Sequence, residues 1–277
     1  MRKLLVIMCV VVILLFFCLW QNNSIVISQY EYTSNKVSPA MNGLRIVHLS
    51  DLHNKDFKGR LVSSIKKQQP DLIVITGDLI DGHRTDLDVA LKLVQEVVQF
   101  APVYFVTGNH EEKSNMYPEL YSRLKACGVN ILANQATVVE IQDSGLNIIG
   151  LPDPIHYRHL KPSDVKEQQE IMKRTIQANM AEDMLNILLV HRPEFFALYA
   201  ECNIDLAFTG HAHGGQIRLP LVGGLLAPGQ GFFPKYTNGL HTLNNSSMVI
   251  SRGLGNSVFP QRLFNRPEVV VVTLKNE

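Results

Sequence analysis

The sequence predicts an α/β (α+β) layered domain preceded by one apolar N-terminal helix. Three observations carry that expectation. From Leu44 onward, short apolar runs alternate with helix-length segments. An unbroken apolar run, Leu4 to Trp20, comes before them. The 277 residues are 46% hydrophobic and 18% charged, the composition of a folded chain rather than a disordered one.

The N-terminal run begins after the basic Met1-Arg2-Lys3. At about 1.5 Å per helical residue, Leu4–Trp20 spans roughly 25 Å, enough for a bilayer core. Trp20 stands where an interfacial aromatic belongs. Phe16 to Trp20 offers no small residues for cleavage, so an uncleaved anchor over 4–20 is expected, with a cleaved signal peptide as the competing reading. Positive charge before the span places the N-terminus in the cytoplasm and the rest outside, as a single-pass cell-membrane protein. Residues 21–42 are polar and read as a linker, and 43–277 as the folded domain.

Arg45 to Ser50 reads as a strand, Lys58 to Gln69 as a helix stopped by Pro70, and Leu72 to Thr76 as a strand buried on both faces. Thr85 to Phe100 places Leu87, Leu91, Val94 and Val98 on one helical face. Val103 to Val106 is a third strand, and Tyr117 to Cys127 is a helix capped by Gly128. A hairpin is expected around Asp143-Ser144-Gly145, then a helix from Ser163 to Met184 with Ser163 as N-cap. Strands follow at Asn186 to Val190 and Asp205 to Thr209, with a helix from Pro193 between them. Leu221 to Gly239 is rich in Gly and Pro and is expected as loops, before closing strands at Met248 to Ser251 and Glu268 to Leu274. Within those loops Leu225, Leu226, Phe232, Phe233 and Tyr236 are expected to pack the core or cover a sheet edge, with an apolar rim for an acyl chain as the alternative.

The net charge of +1 gives no global attraction for nucleic acid, and no nucleic-acid partner is indicated. Cys9, Cys18, Cys127 and Cys202 show no metal-ligand spacing and no disulfide framework, and Cys127 and Cys202 are expected as buried thiols.

Polar residues follow directly on the apolar strands. Asp51 and His53 come after the first, Asp78 after the second, and Asn109 and His110 after the third. His191 follows the next, and His211 and His213 the one after. Layered α/β sheets gather ligands at the carboxyl ends of their strands. Oxygen and imidazole donors without thiolate suit Mn, Fe, Zn or Co, and the sequence does not choose among them. Two such ions about 3.5–4 Å apart can clamp the attacking and leaving oxygens of a phosphoryl transfer. Taken singly, Asp51-Leu52-His53 is a common surface turn, Gly77-Asp78 a plain turn, and His191 a strand-end histidine. Taken together they point to a metal centre. His48 lies inside a strand and reads as structural, while His83, His156, His159 and His241 carry no partner pattern. Asp81 and Glu111 are candidates for supporting the ligands from behind.

Asp51-Leu52-His53, Gly77-Asp78-Leu79-Ile80-Asp81, Gly108-Asn109-His110-Glu111, His191 and Gly210-His211-Ala212-His213 resemble the five signature blocks of the calcineurin-like metallophosphoesterases, in order and spacing. The ending Ser251-Arg252-Gly253-Leu254-Gly255 with Arg266-Pro267-Glu268-Val269 resembles a bacterial subgroup with an N-terminal membrane or export segment. Some members of that subgroup act on UDP-2,3-diacylglucosamine. The resemblance implies two mixed β-sheets packed as a sandwich with helices outside. It implies that Asp51, His53 and His213 hold a first divalent metal ion, that Asn109, His191 and His211 hold a second, that Asp78 bridges them, and that the catalytic His110 stands beside the phosphate. The expected function is a metal-dependent phosphodiesterase or pyrophosphatase using metal-activated hydroxide, on a membrane-associated or envelope substrate. The alternatives are a UDP-2,3-diacylglucosamine pyrophosphate hydrolase and a non-catalytic scaffold of the same fold.

Overall fold

The computed structural model describes residues 1–157, 165–256 and 259–277. The chain opens with α1 (Arg2–Asn23), β1 (Val26–Ser34), β2 (Arg45–Leu49), α2 (Arg60–Lys67), β3 (Leu72–Thr76) and α3 (Leu87–Val97). It continues with β4 (Val103–Val106), α4 (Asn109–Lys113), α5 (Tyr117–Ala126), β5 (Asn130–Ile131), β6 (Gln135–Ile141), β7 (Ser144–Gly150) and α6 (Val165–Asn179). Then come β8 (Leu185–Leu189), α7 (Phe196–Glu201), β9 (Leu206–Thr209), β10 (Arg218–Leu219), β11 (Gly223–Gly224), β12 (Leu226–Ala227) and β13 (Gly231–Phe232). The chain closes with β14 (Gly239–Leu243), β15 (Ser246–Ile250) and β16 (Glu268–Asn276).

Two mixed six-stranded sheets result, ordered β1-β16-β2-β3-β4-β5 and β14-β15-β9-β8-β7-β6. Their central strands are buried on both faces, and side-chain alternation sorts them into three apolar layers. Val47, Ile73, Phe105 and Val271 face α2, α3 and α5. Ile46, Val74, Tyr104 and Val270 meet Ile187 and Phe208 of the second sheet between the two sheets. Leu188, Ala207, Met248 and Ile250 face outward onto Met172 and Ile176 of α6 and Phe196 and Tyr199 of α7. The molecule is therefore a sandwich of two sheets with helices outside.

Several elements differ from the sequence expectation. The supposed linker contains β1, which pairs in parallel with β16 over its whole length, Val26 opposite Glu268 through Ser34 opposite Asn276. Its polar look comes from its edge position, where Ser28, Gln29 and Glu31 need no burial. Ile25 and Ile27 pack on one core layer and Tyr30 and Tyr32 on the other. The β6–β7 hairpin turns one step earlier than expected, at Gln142-Asp143, and Gln142 takes the left-handed conformation (φ 52°). The expected loop from Leu221 to Gly239 carries the small antiparallel ribbon β12–β13 and β11, which pairs with β10 just before it. Leu226, Phe232 and Phe233 are 43%, 77% and 68% exposed, so they do not pack the core. Cys127 is half-buried rather than buried, and all four thiols are free. Ser163 and His159 lie outside the described residues.

Candidate metal centre

The loops after β2, β3, β4, β8 and β9 meet at one edge of the sandwich. Asp51 N–H donates to Gly77 O and His53 N–H to Asp78 O, both at 3.0 Å, so the first two loops continue the pairing of their strands. Asp51, His53, Asp78, His211 and His213 all have positive φ, between 46° and 63°. Non-glycine residues there cost of order 1–3 kcal/mol each and persist where the surroundings fix them. Here buried hydrogen bonds do so. His110 N–H donates to Asp78 Oδ1 at 2.9 Å, and His211 N–H to both oxygens of Asp51 at 3.1 and 3.2 Å. Glu111 is fully buried and accepts from the N–H groups of Asp78, Ile80 and Gly108 at 2.7, 3.1 and 2.8 Å, tying the third loop to the second. A Cβ on Gly210 would overlap Ser50 Oγ and Asp51 Oδ2, so only glycine allows this approach.

Three groups of donor atoms emerge among the described residues, one of them His53, Asp81 and His110 at the cavity side and the other two deeper. Asp51, His53, Asp78 and His213 place donors within 4.8 Å of one another, and so do Asp78, His191 and His211, with Asp78 common to both. In the first, His213 Nε2 lies 3.2 Å from His53 Nε2 and 3.3 Å from Asp51 Oδ1. In the second, His191 Nε2 lies 3.2 Å from both Asp78 Oδ2 and His211 Nδ1. His191 Nδ1 donates to Thr76 O at 2.6 Å, which directs Nε2 into the cluster. Asn109 Oδ1 is buried with no hydrogen-bond partner.

Burial pushes the His53 ring down to about 4, and holds His211 and His213 well below the usual imidazole range. Burial thus disfavours the protonated form of these three rings, and a neutral imidazole keeps a lone pair that a cation can take. Burial acts the same way on His191, but the Asp78 carboxylate beside it wins and raises the ring to about 10. Burial lifts the Asp51 carboxyl to about 6. Buried carboxylates, and the buried Asn109 Oδ1 and His211 Nε2 that have no hydrogen-bond partner, are costly without cations among them. The set therefore fits divalent metal ions, and nothing in it favours one of Mn, Fe, Zn or Co.

His110 Nδ1 accepts from Gly82 N–H at 2.9 Å, so the ring proton sits on Nε2. Its ring is 4.5 Å from that of His53. Asp81 Oδ1 accepts from His83 N–H and Arg84 N–H and stands 3.9 Å from His110 Nδ1. Beside them opens a cavity of about 730 Å³, lined by His53, Asp81, His83, Arg84, Asn256 and Pro260 among others. His83, Arg84 and Asn256 belong to no recognisable site pattern in the sequence. The polar run after Asp78 is the one signal near the first two, and nothing local marks Asn256. His48 is buried between the sheets, with Nε2 2.8 Å from Thr76 Oγ1. His156 and His241 lie apart from the cluster, facing Glu112 and Asn238 O.

The calcineurin-like phosphoesterase family model matches residues 44–215. The chain is 26% identical over 259 residues to the uncharacterized metallophosphoesterase YkuE of Bacillus subtilis, covering 91% of this chain and 86% of that protein. It is 30% identical over 241 residues to the phosphodiesterase YaeI of Escherichia coli, covering 83% and 82%. Among solved structures, the sulfate thiohydrolase SoxB of Thermus thermophilus superposes with a TM-score of 0.52 at 11% identity, over 84% of this chain and 57% of that one. That last likeness is one of fold.

Proposed function

This chain belongs to the calcineurin-like phosphoesterase family and is a metal-dependent phosphoester hydrolase, and on that premise we propose that it is a membrane-anchored phosphodiesterase. The carrying observation is the pair of buried donor groups sharing Asp78, with His110 beside them. In this reading Asp51, His53 and His213 hold one ion, Asn109, His191 and His211 the other, and Asp78 both. Such ions, when bound, supply charge neutralisation for a phosphoryl group and a water of lowered pKa.

The protein's own groups do the rest. Hydrolysis adds one water across a P–O ester bond, and the leaving oxygen takes a proton. The His110 Nε2–H is placed to hydrogen-bond a phosphoryl oxygen or to give that proton, and Gly82 N–H keeps the tautomer that allows it. Asp81 orders the 81–84 turn along the cavity wall, so that Arg84 can meet an anionic group. Diester cleavage is favoured by the likeness to the phosphodiesterase YaeI. Helix α1 is long and apolar enough to cross a membrane, with 6% of its apolar window buried. We take it as an anchor with the catalytic domain outside the cytoplasm, following the basic Arg2 and Lys3.

The test assays the full chain in detergent on bis-p-nitrophenyl phosphate, p-nitrophenyl phosphate and a UDP-linked diacyl lipid. Mn²⁺, chelator and an Asp78→Asn variant are the three conditions. Turnover of the diester with Mn²⁺, lost with chelator and in the variant, is expected. Faster turnover of the monoester would sink the diesterase reading, and preference for the UDP-linked lipid would move it to a pyrophosphatase.

A further inference from the structure

Two cavities are lined by adjacent residues of one segment, Phe259 and Pro260. Pro260 lines the 730 Å³ cavity that reaches His53. Its neighbour Phe259 lines a second cavity of about 470 Å³, walled by Ile217, Leu225, Leu226, Ala227 and Phe232. Gly215 and Gln216, just after His213, also line it, and Gln216 is the one polar side chain among its described lining residues. A volume of this size accommodates a small ligand. Its rim is open, with Phe232 77% exposed and Leu226 and Phe259 each 43%. Single exposed apolar residues are ordinary, but a contiguous group around an apolar cavity marks a binding surface.

Helix α1 indicates what covers that surface. The segment that carries Phe259 is fastened to the last turns of the helix. Phe264 packs on Phe17 with ring centroids 5.7 Å apart, and Gln261 Nε2 donates to Cys18 O at 3.2 Å. Arg262 N–H donates to Asn22 Oδ1 at 2.7 Å, and the Arg266 guanidinium lies 4.6 Å over the Trp20 ring. Phe17 and Cys18 belong to the apolar run itself. With α1 in a bilayer, Phe264 on Phe17 stands where headgroups give way to hydrocarbon, and Phe259 of the cavity rim lies five residues before it on the same fastened segment.

We infer that the 470 Å³ cavity is an acyl-chain subsite, and that the substrate is an amphiphile whose phosphodiester carries a long acyl or alkyl chain. This rests on the phosphodiesterase reading above. The phosphodiester occupies the His53 cavity, and its chain crosses the Phe259–Pro260 partition and lies against Leu226 and Phe232. Soluble headgroup compounds then reach the metal centre without using the second cavity.

The test places the full chain in phosphatidylcholine–phosphatidylglycerol vesicles with Mn²⁺ and compares hexadecyl p-nitrophenyl phosphate with ethyl p-nitrophenyl phosphate. Both release p-nitrophenol, so only the chain differs. Phe232→Glu and Leu226→Glu are expected to lower the hexadecyl-to-ethyl ratio of kcat/KM by about tenfold or more, the scale on which an apolar pocket discriminates. Met116→Glu, at an exposed apolar residue away from the cavity, should leave it unchanged. A second arm includes phosphatidylglycerol with a diazirine on its acyl chain and maps the photolabel. Label on residues 217–232 or Phe259 is expected. Label confined to α1, or a ratio indifferent to both rim variants, overturns the subsite. Failure to cleave either ester overturns the parent reading instead, and the photolabel still decides whether the cavity takes an acyl chain.

Discussion

Asn109 and His110 are sequence neighbours at the start of α4, yet they differ in what they face. Asn109 Oδ1 is buried with no hydrogen-bond partner, whereas His110 is fixed through Nδ1 and keeps a free Nε2–H. Asn109→Ala should therefore lower bound metal from two ions towards one per chain, read by elemental analysis. His110→Ala should keep both ions and lose turnover by about 10²–10⁴-fold, the usual worth of a positioned acid or base. Loss of an ion from the His110 variant would place that ring among the ligands instead. His48 makes a separate prediction. Burial pushes its ring down to about 3 from 6.5, so the unfolded chain binds more protons between those values. The stability this neutral ring contributes is complete above pH 6.5 and is lost as pH falls through that window, by about 1.4 kcal/mol per pH unit. Denaturant titrations in chelator should give His48→Leu a slope shallower than the parent's by that amount, whatever the other buried histidines add to both. Equal slopes would mean that another group carries the acid sensitivity.

At the scale of elements, the site depends on loops held to one another. The Glu111 carboxylate receives three backbone N–H groups from two loops. Glu111→Gln keeps the shape but turns an amide NH₂ towards those donors. It should cost about 1–3 kcal/mol for the unsatisfied groups, seen in chelated protein, and weaken metal binding as well. Retained stability together with weakened metal binding would mean that Glu111 acts only through charge. Glu111 also shows where sequence reading stops. The gathering of Asp51, His53, Asp78, His191, His211 and His213 at one edge was legible, because each follows an apolar run that can only be a buried strand. Glu111 was visible only as a neighbour of that set, since its partners are backbone groups and backbone has no sequence signature. β1 was hidden by the same cause as its polar look, because an edge strand buries little and reads as a linker. Phe232 and Phe233 misled in the opposite sense. An aromatic in a Gly-rich loop ordinarily returns to the core, and here both stand in the open.

For the whole molecule, β1 determines where the folded unit begins. It covers the outer edge of β16 along its full length and adds Ile27 to one core layer and Tyr30 and Tyr32 to another. β16 itself runs antiparallel to β2, the strand that delivers Asp51 and His53. Removing β1 would leave a long Val-rich strand with an open row of backbone donors and acceptors, a template for pairing with another chain. A chain beginning at residue 21 keeps β1 and also keeps Asn22, which binds Pro260 O and Arg262 N. A chain beginning at residue 43 loses both. The first should be soluble and bind two metal ions, although detached from membranes. The second should aggregate or melt at a lower temperature, on the order of 4–8 °C for each kcal/mol lost in a small domain and less in one of this size. Light scattering and thermal melts of the two purified chains give the comparison. If the chain beginning at 43 melted at the same temperature and stayed monomeric, β1 would be an accessory to the sheet, and the anchor would join the catalytic unit through a tether with no structural duty.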